Sequence, residues 1–214
     1  MNISINGDPL VCEMFEQLCR RAGHTTDPSL PLDASLDLTL TDKAAKQTLL
    51  QQTAAPLILT AAVPCSATEA ASWAARPEHV VGISPIFGDT VELAPALQTD
   101  EATLARARAF LQSLGVTVMQ VADGPGLVRM RVLCCLVNEA ASALADGIAS
   151  AADIDTAMKL GANYPRGPLQ WADSLGLPVV LAVMRALHAD YGEDRYRPHP
   201  LLVRKVLARQ NFLA

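Results

Sequence analysis

The sequence predicts two unlike domains in series, a small α/β domain followed by an all-helical one. Three observations carry this. Up to residue 122, short apolar runs of strand length alternate with helical stretches. From Leu127 onward only helical periods occur. Between the two regimes stands Asp123-Gly124-Pro125-Gly126, punctuation of the kind found at boundaries. The domains are therefore placed at 1–122 and 123–214.

In the α/β part, residues 1–6 read as a strand and 9–22 as a helix closed by Gly23. Residues 24–35, rich in Pro, Asp and Ser, read as loop. Residues 36–40 and 57–62 are strands flanking a helix over 42–53, with Asp42 as its cap. Residues 68–75 are helical and 80–83 form a strand. Thr99-Asp100-Glu101 starts a helix that runs to Leu114 and stops at Gly115, before a last strand over 117–121. Alternation at this spacing implies a parallel sheet with helices packed on it. In the second part, helices are expected over 127–146, 151–160, 168–175, 178–191 and 200 to the end. Gly147 and Gly161 stop the first two, Ser150 with Asp153 makes a capping pattern, and Pro178 and Pro200 suit first turns.

Half the residues are apolar and 18% are charged, a balance that favours a packed core over disorder. A membrane span needs roughly 18 uninterrupted apolar residues. The run 127–145 is broken by Arg129, Arg131, Asn138 and Glu139. No basic segment followed by an apolar core opens the chain, so a cytoplasmic location without membrane contact is expected. A formal net charge of −5 offers no basic surface for nucleic acid. The five cysteines (Cys12, Cys19, Cys65, Cys134, Cys135) show neither CxxC nor metal spacing. They are expected to be reduced and mostly buried, with no metal site.

The segment DIDTAMKLGANYPRGPLQWAD at 153–173 resembles the C-terminal domain of the 3-hydroxyacyl-CoA dehydrogenases. Further matches stand around it: Pro125-Gly126-Leu127, Asn138-Glu139-Ala140, and RYRPHPLL at 195–202. The N-terminal half follows the same family more faintly, through RRAGH at 20–24, RPEHVVG at 76–82 and TLARARAFLQSLG at 103–115. The resemblance implies a shortened Rossmann-like α/β domain followed by an all-α domain of the 6-phosphogluconate-dehydrogenase C-terminal type. A helical insertion that family members carry after the second strand is absent. The resemblance also implies NAD as cofactor, an acyl-CoA groove and a homodimer formed through the helical domain.

Set against that pattern, the functional positions depart together. The family relay is a histidine oriented by a glutamate; Ser84 stands at the histidine position, and Glu92 is the possible remnant of the glutamate, given a short deletion after Phe87. Val63 falls at the substrate serine, with Ser66 displaced nearby, and Met130 falls at an asparagine. The loop Asn6-Gly7-Asp8-Pro9-Leu10-Val11-Cys12 has the layout of a dinucleotide-binding strand, turn and helix. Gly7 is the remnant of its glycine series, with Pro9 and Cys12 at the other two positions. Asp27 and Asp33 could replace the acidic ribose ligand, although loop aspartates are more often turn formers.

NAD binding is therefore expected to be weak or lost. The expected function is a catalytically degenerate family member, an acyl-CoA-binding or dimerising partner subunit that pairs with itself or with a full-length dehydrogenase. The alternative is an active NAD-dependent enzyme using displaced groups. Ser66 and Cys65 lack the surroundings of a nucleophile. His24 and His79 are expected to face solvent, while His188 and His199 have no visible partner. Arg166, Arg195 and Arg197 either meet a CoA phosphate or are solvated.

Overall fold

The computed structural model describes residues 1–84 and 88–213. Pro85 and Phe87, which enter the family placement around Ser84, lie outside the described residues. The chain divides into two compact units, Met1–Val128 and Arg129–Ala214. The boundary lies beyond residue 122 because Asp123 and Gly126 are bonded into the first unit. The Asp123 carboxylate accepts the Ala67 and Thr68 N–H groups at 2.8 and 2.7 Å, and the Gly126 N–H donates to the Ala62 carbonyl at 2.6 Å.

The first unit contains strands β1 (Ile3–Gly7), β2 (Ala34–Leu38), β3 (Ile58–Ala61), β4 (Val80–Ile83), β5 (Thr90–Pro95) and β6 (Thr117–Gln120). Its helices are α1 (Pro9–Arg21), α2 (Lys43–Gln52), α3 (Ala67–Ala71) and α4 (Glu101–Ser113). The strands form one sheet in the order β1-β2-β3-β4-β5-β6. β1 to β4 run parallel, β5 is antiparallel to β4, and β6 is parallel to β5. The sheet is thus mixed, whereas the sequence pattern implied a parallel one. The strand β5 was not expected, because Glu92 interrupts its apolar run and Pro95 ends it. The connection from Ile83 to Thr90 is too short for a crossover helix, so β5 can only return antiparallel.

Alternate residues of the strands feed two cores, as the period of two requires. Leu57, Leu59, Val81 and Ile83 pack with Phe15 and Cys19 of α1 and with Phe110 and Leu111 of α4. Ile58 and Val80 point the other way, to Leu50 of α2 and Ala67, Ala70 and Ala71 of α3. Each fully buried large side chain, such as Phe15, contributes about 1.5–3 kcal/mol through area removed from water. With helices on both faces, all five residues of β2 are buried, which is why Ala-Ser-Leu-Asp-Leu shows no in-out alternation.

The second unit is helical: α5 (Arg129–Ala145), α6 (Ala151–Gly161), α7 (Pro168–Leu175), α8 (Leu177–Tyr191) and α9 (Pro200–Ala208). The central helix α8 buries Leu177, Val179, Val180, Leu181, Val183, Met184 and Leu187. It ends at Gly192, whose left-handed conformation (φ +64°) lets its N–H reach the His188 carbonyl. Among the described residues, no single helix is long and apolar enough to cross a membrane.

Candidate functional site

The loop Gly7-Asp8-Pro9 joins β1 to α1, where the sequence places a dinucleotide turn. Gly7 has φ +135°, and a Cβ there would sit 2.1 Å from the Leu38 carbonyl carbon. The Asp8 N–H donates to the Leu38 carbonyl at 3.0 Å. The close passage of β1 past the end of β2 therefore requires this glycine whether or not a ligand binds. Asp8 caps α1 by accepting the Leu10 N–H at 3.2 Å, and Pro9 fills the first turn without an N–H to offer. A helix N-terminus holds phosphate through free N–H groups, but this one carries its own carboxylate.

The next loop repeats the arrangement, with Asp42 capping α2 through the Ala45 N–H at 2.9 Å. Asp8 and Asp42 both line a cavity of about 440 Å³ at the C-terminal ends of β1 and β2, beside Asn6 and Thr39. Met1–Val128 holds 14 acidic and 7 basic side chains, so the field of the whole unit adds to the local one. A doubly wound dinucleotide sheet reverses its strand order beside the first strand and opens its crevice there. Among the described residues the order has no reversal, and the outer edge of β1 meets only Thr25, bridged to Asn2. The residues present do not fit a pyrophosphate held in that fold's usual manner. Nor are the two suggested ribose ligands placed for one: Asp27 forms a turn with the Ser29 N–H and hydroxyl, and Asp33 accepts the Asn2 N–H at 2.7 Å.

Ser84 and Glu92 are brought together, but through the main chain. Ser84 Oγ accepts the Glu92 N–H at 2.9 Å, and the Ser84 N–H donates to the Glu92 carbonyl at 3.0 Å. Both residues are buried. The serine hydroxyl is thereby fixed to a backbone amide as part of the β4–β5 pairing. Val63 is buried, and Ser66 caps α3 by accepting the Glu69 N–H at 3.1 Å. Burial pushes the Cys65 thiol up to about 12 and Cys19 to about 11, which leaves neither with useful thiolate near neutral pH. All five cysteines are free.

Lys46, a cation outside every motif above, is fully buried. Its ammonium group donates to Asp37 Oδ2, to Thr60 Oγ1 at 2.9 Å and to the Ala61 carbonyl at 3.0 Å. Thr60 Oγ1 in turn donates to Asp37 Oδ2 at 2.6 Å, and Asp37 Oδ1 accepts the Thr39 N–H. Two signals were available: Lys46 lies one helical turn before buried Leu50, and Asp37 sits in the middle of an apolar strand. Every donor of the ammonium is used, so the cluster ties β2, β3 and α2 together with no group left over for a ligand.

In the second unit, the long motif resolves into backbone clamps. Asp155, 3% exposed, accepts the Leu169 N–H at 2.8 Å and the Gln170 N–H at 2.9 Å, closing the start of α7. A Cβ on Gly167 would lie 2.0 Å from the Asp155 carboxyl carbon, which explains that glycine. Asp173 accepts the Phe212 and Leu213 N–H groups, both at 2.9 Å. Asn138 donates to the Arg197 carbonyl and accepts the His199 N–H, pinning the segment before α9. Arg131 lies over the rings of Tyr191 and Tyr196, at 4.5 and 5.2 Å, and donates to both hydroxyls.

The model for the "3-hydroxyacyl-CoA dehydrogenase, C-terminal domain" matches residues 126–211, the stretch held by these clamps. The chain belongs to the 3-hydroxyacyl-CoA dehydrogenase family. Its relatives in that family include the 3-hydroxyadipyl-CoA dehydrogenase of Escherichia coli K12, 43% identical over 64% of this chain and 29% of the relative. The 3-hydroxybutyryl-CoA dehydrogenase of Clostridioides difficile is 40% identical over 68% of this chain and 53% of its own. The chain thus spans about half or less of the curated relatives it matches. Among solved structures, the (S)-3-hydroxybutyryl-CoA dehydrogenase of Ralstonia eutropha superposes with a TM-score of 0.78 over 98% of this chain and 86% of that one, at 27% identity. The Escherichia coli K12 3-hydroxybutyryl-CoA dehydrogenase superposes with a TM-score of 0.63 over 93% and 44%, at 31% identity. The Rossmann-like sheet followed by a helical domain is the architecture that the sequence predicted for a 3-hydroxyacyl-CoA dehydrogenase family member.

Several other residues of this 3-hydroxyacyl-CoA dehydrogenase family chain have structural partners. Met130 is buried. His79 is also buried, with Nδ1 3.3 Å from the Ala55 carbonyl, which corrects its expected exposure; a three-residue 3-10 turn over Pro77–His79 rotates the ring inward. His24 is half-buried between the Met1 amino group and Ser113. His199 caps α9 by accepting the Leu201 N–H at Nδ1. Arg195 and Arg197 pair with Glu193 and Asp194, and Arg166 is exposed.

Proposed function

We propose that this chain is a 3-hydroxyacyl-CoA dehydrogenase family protein that has given up hydride transfer and acts as an acyl-CoA-binding or dimerising subunit in acyl-CoA metabolism. The observation that carries the reading is the first loop. Pro9 has no N–H and Asp8 takes the Leu10 N–H, which removes two first-turn donors of α1 that a pyrophosphate would use, in a sheet with no strand-order reversal beside β1. The loss of an imidazole relay adds to it. A positioned general acid–base group supplies about 10²–10⁴-fold in rate, and the Ser84 hydroxyl is engaged by a backbone amide. The helical unit, by contrast, retains its clamps at Asn138, Asp155, Gly167 and Asp173. A domain kept in order without a cofactor loop suits a binding or pairing role, with a homodimer or a full-length dehydrogenase as partner.

Titrating NADH into the purified chain while following nicotinamide fluorescence tests this reading. No saturable binding up to about 1 mM is expected, a ceiling equivalent to about −4 kcal/mol. Micromolar binding together with turnover of acetoacetyl-CoA would overturn it. Calorimetry with acetoacetyl-CoA alone, and sedimentation with and without a full-length family enzyme, separates the acyl-CoA role from the pairing role.

A second reading, an active NAD-dependent dehydrogenase with displaced groups, is favoured by the juxtaposition of buried Ser84 and Glu92. It requires measurable oxidation of 3-hydroxybutyryl-CoA that is abolished in Glu92→Gln. Absence of activity across several chain lengths with both nicotinamide cofactors rules it out.

A further inference from the structure

Residues 121–127 carry the chain from the last strand, β6, toward the helical unit, and they are fastened back onto the α/β unit. The Asp123 carboxylate takes the Ala67 N–H at one oxygen and the Thr68 N–H at the other, at 2.8 and 2.7 Å. The Gly126 N–H donates to the Ala62 carbonyl at 2.6 Å. The Leu127 side chain, 4% exposed, packs with Ala62 and Ala94, and Val121 lies against them. The fastenings thus converge on residues 62–68, the stretch that leads from the end of β3 into α3.

Two features set this strap apart from the rest of the unit. Its apolar anchor is a small cluster of its own, separate from the cores that α1 and α4, and α2 and α3, form on the sheet. Its backbone is strained: Leu127 has φ +49°, in the left-handed region where an L side chain crowds the main chain. A non-glycine residue stays there only while its surroundings hold it. The groups that hold it are the Leu127 packing and the bonds of Asp123 and Gly126, all within five residues of chain. Losing one of them lets Leu127 relax and draws the others out of line. The strand that leads into the strap, β6, is itself largely exposed, so little holds that side in place.

We propose that residues 121–127 form a conformational latch, a strap that opens as one unit while the sheet stays folded. Opening frees the Ala62 carbonyl and the Ala67 and Thr68 N–H groups. It also releases seven residues of chain, which extend to roughly 25 Å, between the α/β unit and the helical one. Closed, the strap is fastened on either side, in sequence, of Val63, the residue set against the family's substrate serine. The latch is independent of whether hydride transfer has been kept or lost.

The test is amide hydrogen exchange on the full chain, with one variant for each end of the strap. Asp123→Asn keeps the shape of the side chain but leaves one acceptor oxygen where there were two. Leu127→Ala keeps the left-handed strain and removes the packing. Asp123→Asn is expected to speed exchange at Ala67 and Thr68 and, by the same factor, at Gly126, whose own bond to Ala62 is untouched. That factor is roughly 10- to 150-fold, the range for one bond to a charged group. Leu127→Ala is expected to speed Ala67 and Thr68 in turn, by a comparable or larger factor. Amides of β2 and β3 keep their wild-type rates in both variants, which separates opening of the strap from unfolding of the unit. Acceleration confined to each variant's own neighbours, Ala67 and Thr68 in one and Gly126 in the other, overturns the proposal. Equal acceleration throughout β2 and β3 overturns it as well, since the strap would then have no opening of its own.

Discussion

Lys46 has all its donors engaged by Asp37, Thr60 and the Ala61 carbonyl, and its side chain does not reach water. Taking two charges out of water is offset only while both remain paired, so the substitutions separate sharply. Lys46→Met leaves the Asp37 carboxylate in the core without its cation and is expected to lower the unfolding free energy by about 3–5 kcal/mol. Adding Asp37→Leu removes the stranded charge and recovers most of that loss, which a pair of urea melts will show. A second residue gives a pH signature. Asp100 caps α4, and its hydrogen bonds from Thr103, backbone first, hold its carboxyl below the usual range. Because the folded value is depressed, the cap's contribution is complete above the unfolded value of about 3.9 and is lost as pH falls through the folded one. A carboxyl titration by NMR should therefore place Asp100 below that value, and Asp100→Asn should flatten the acid limb of the stability profile.

At the level of elements, the punctuation in the sequence was the readable part. Asp42, Asp100 and Ser150 cap the helices assigned to them, each accepting an N–H from the first turn. β5 is hard to read because its run carries a buried charge, and the inward turn of His79 leaves no trace because a short 3-10 turn has no periodicity to follow. The motif at 153–173 was visible as a pattern, but its purpose was not, since Asp155 acts 14 residues away in sequence on Leu169. Asp155→Ala removes a buried carboxylate that holds two N–H groups of α7, and each bond to a charged group is worth about 1.5–3 kcal/mol. Hydrogen exchange should accelerate at Leu169 and Gln170, with Tm lowered. Gly167→Ala should produce the same local signature, because its methyl group would displace that carboxylate.

For the whole molecule, the family and the order of domains could be read from the sequence, because a clamp motif survives as a string of residues. The sheet order could not be read that way. Loss of a reversal beside β1 leaves no residue to inspect, only a long loop over 24–33 whose Thr25 still touches the edge. Two features support the proposed loss of NAD binding, Pro9 and Cys12 in the loop and the sheet order beside it. The two can be told apart by repairing one. Asp8→Ala, Pro9→Gly and Cys12→Gly together free the first turn of α1 and remove its carboxylate, restoring the three-glycine spacing with Gly7. If the loop alone were at fault, this triple variant would gain NADH affinity in the micromolar range. The sheet argues otherwise: with no strand beyond β1 among the described residues to form the far wall of the crevice, the repaired loop has only phosphate contacts to offer. The triple variant, shown folded by its unfolding transition, is expected to bind NADH no more tightly than about 1 mM. Fluorescence titration decides between the two, and a micromolar Kd would assign the loss to the loop.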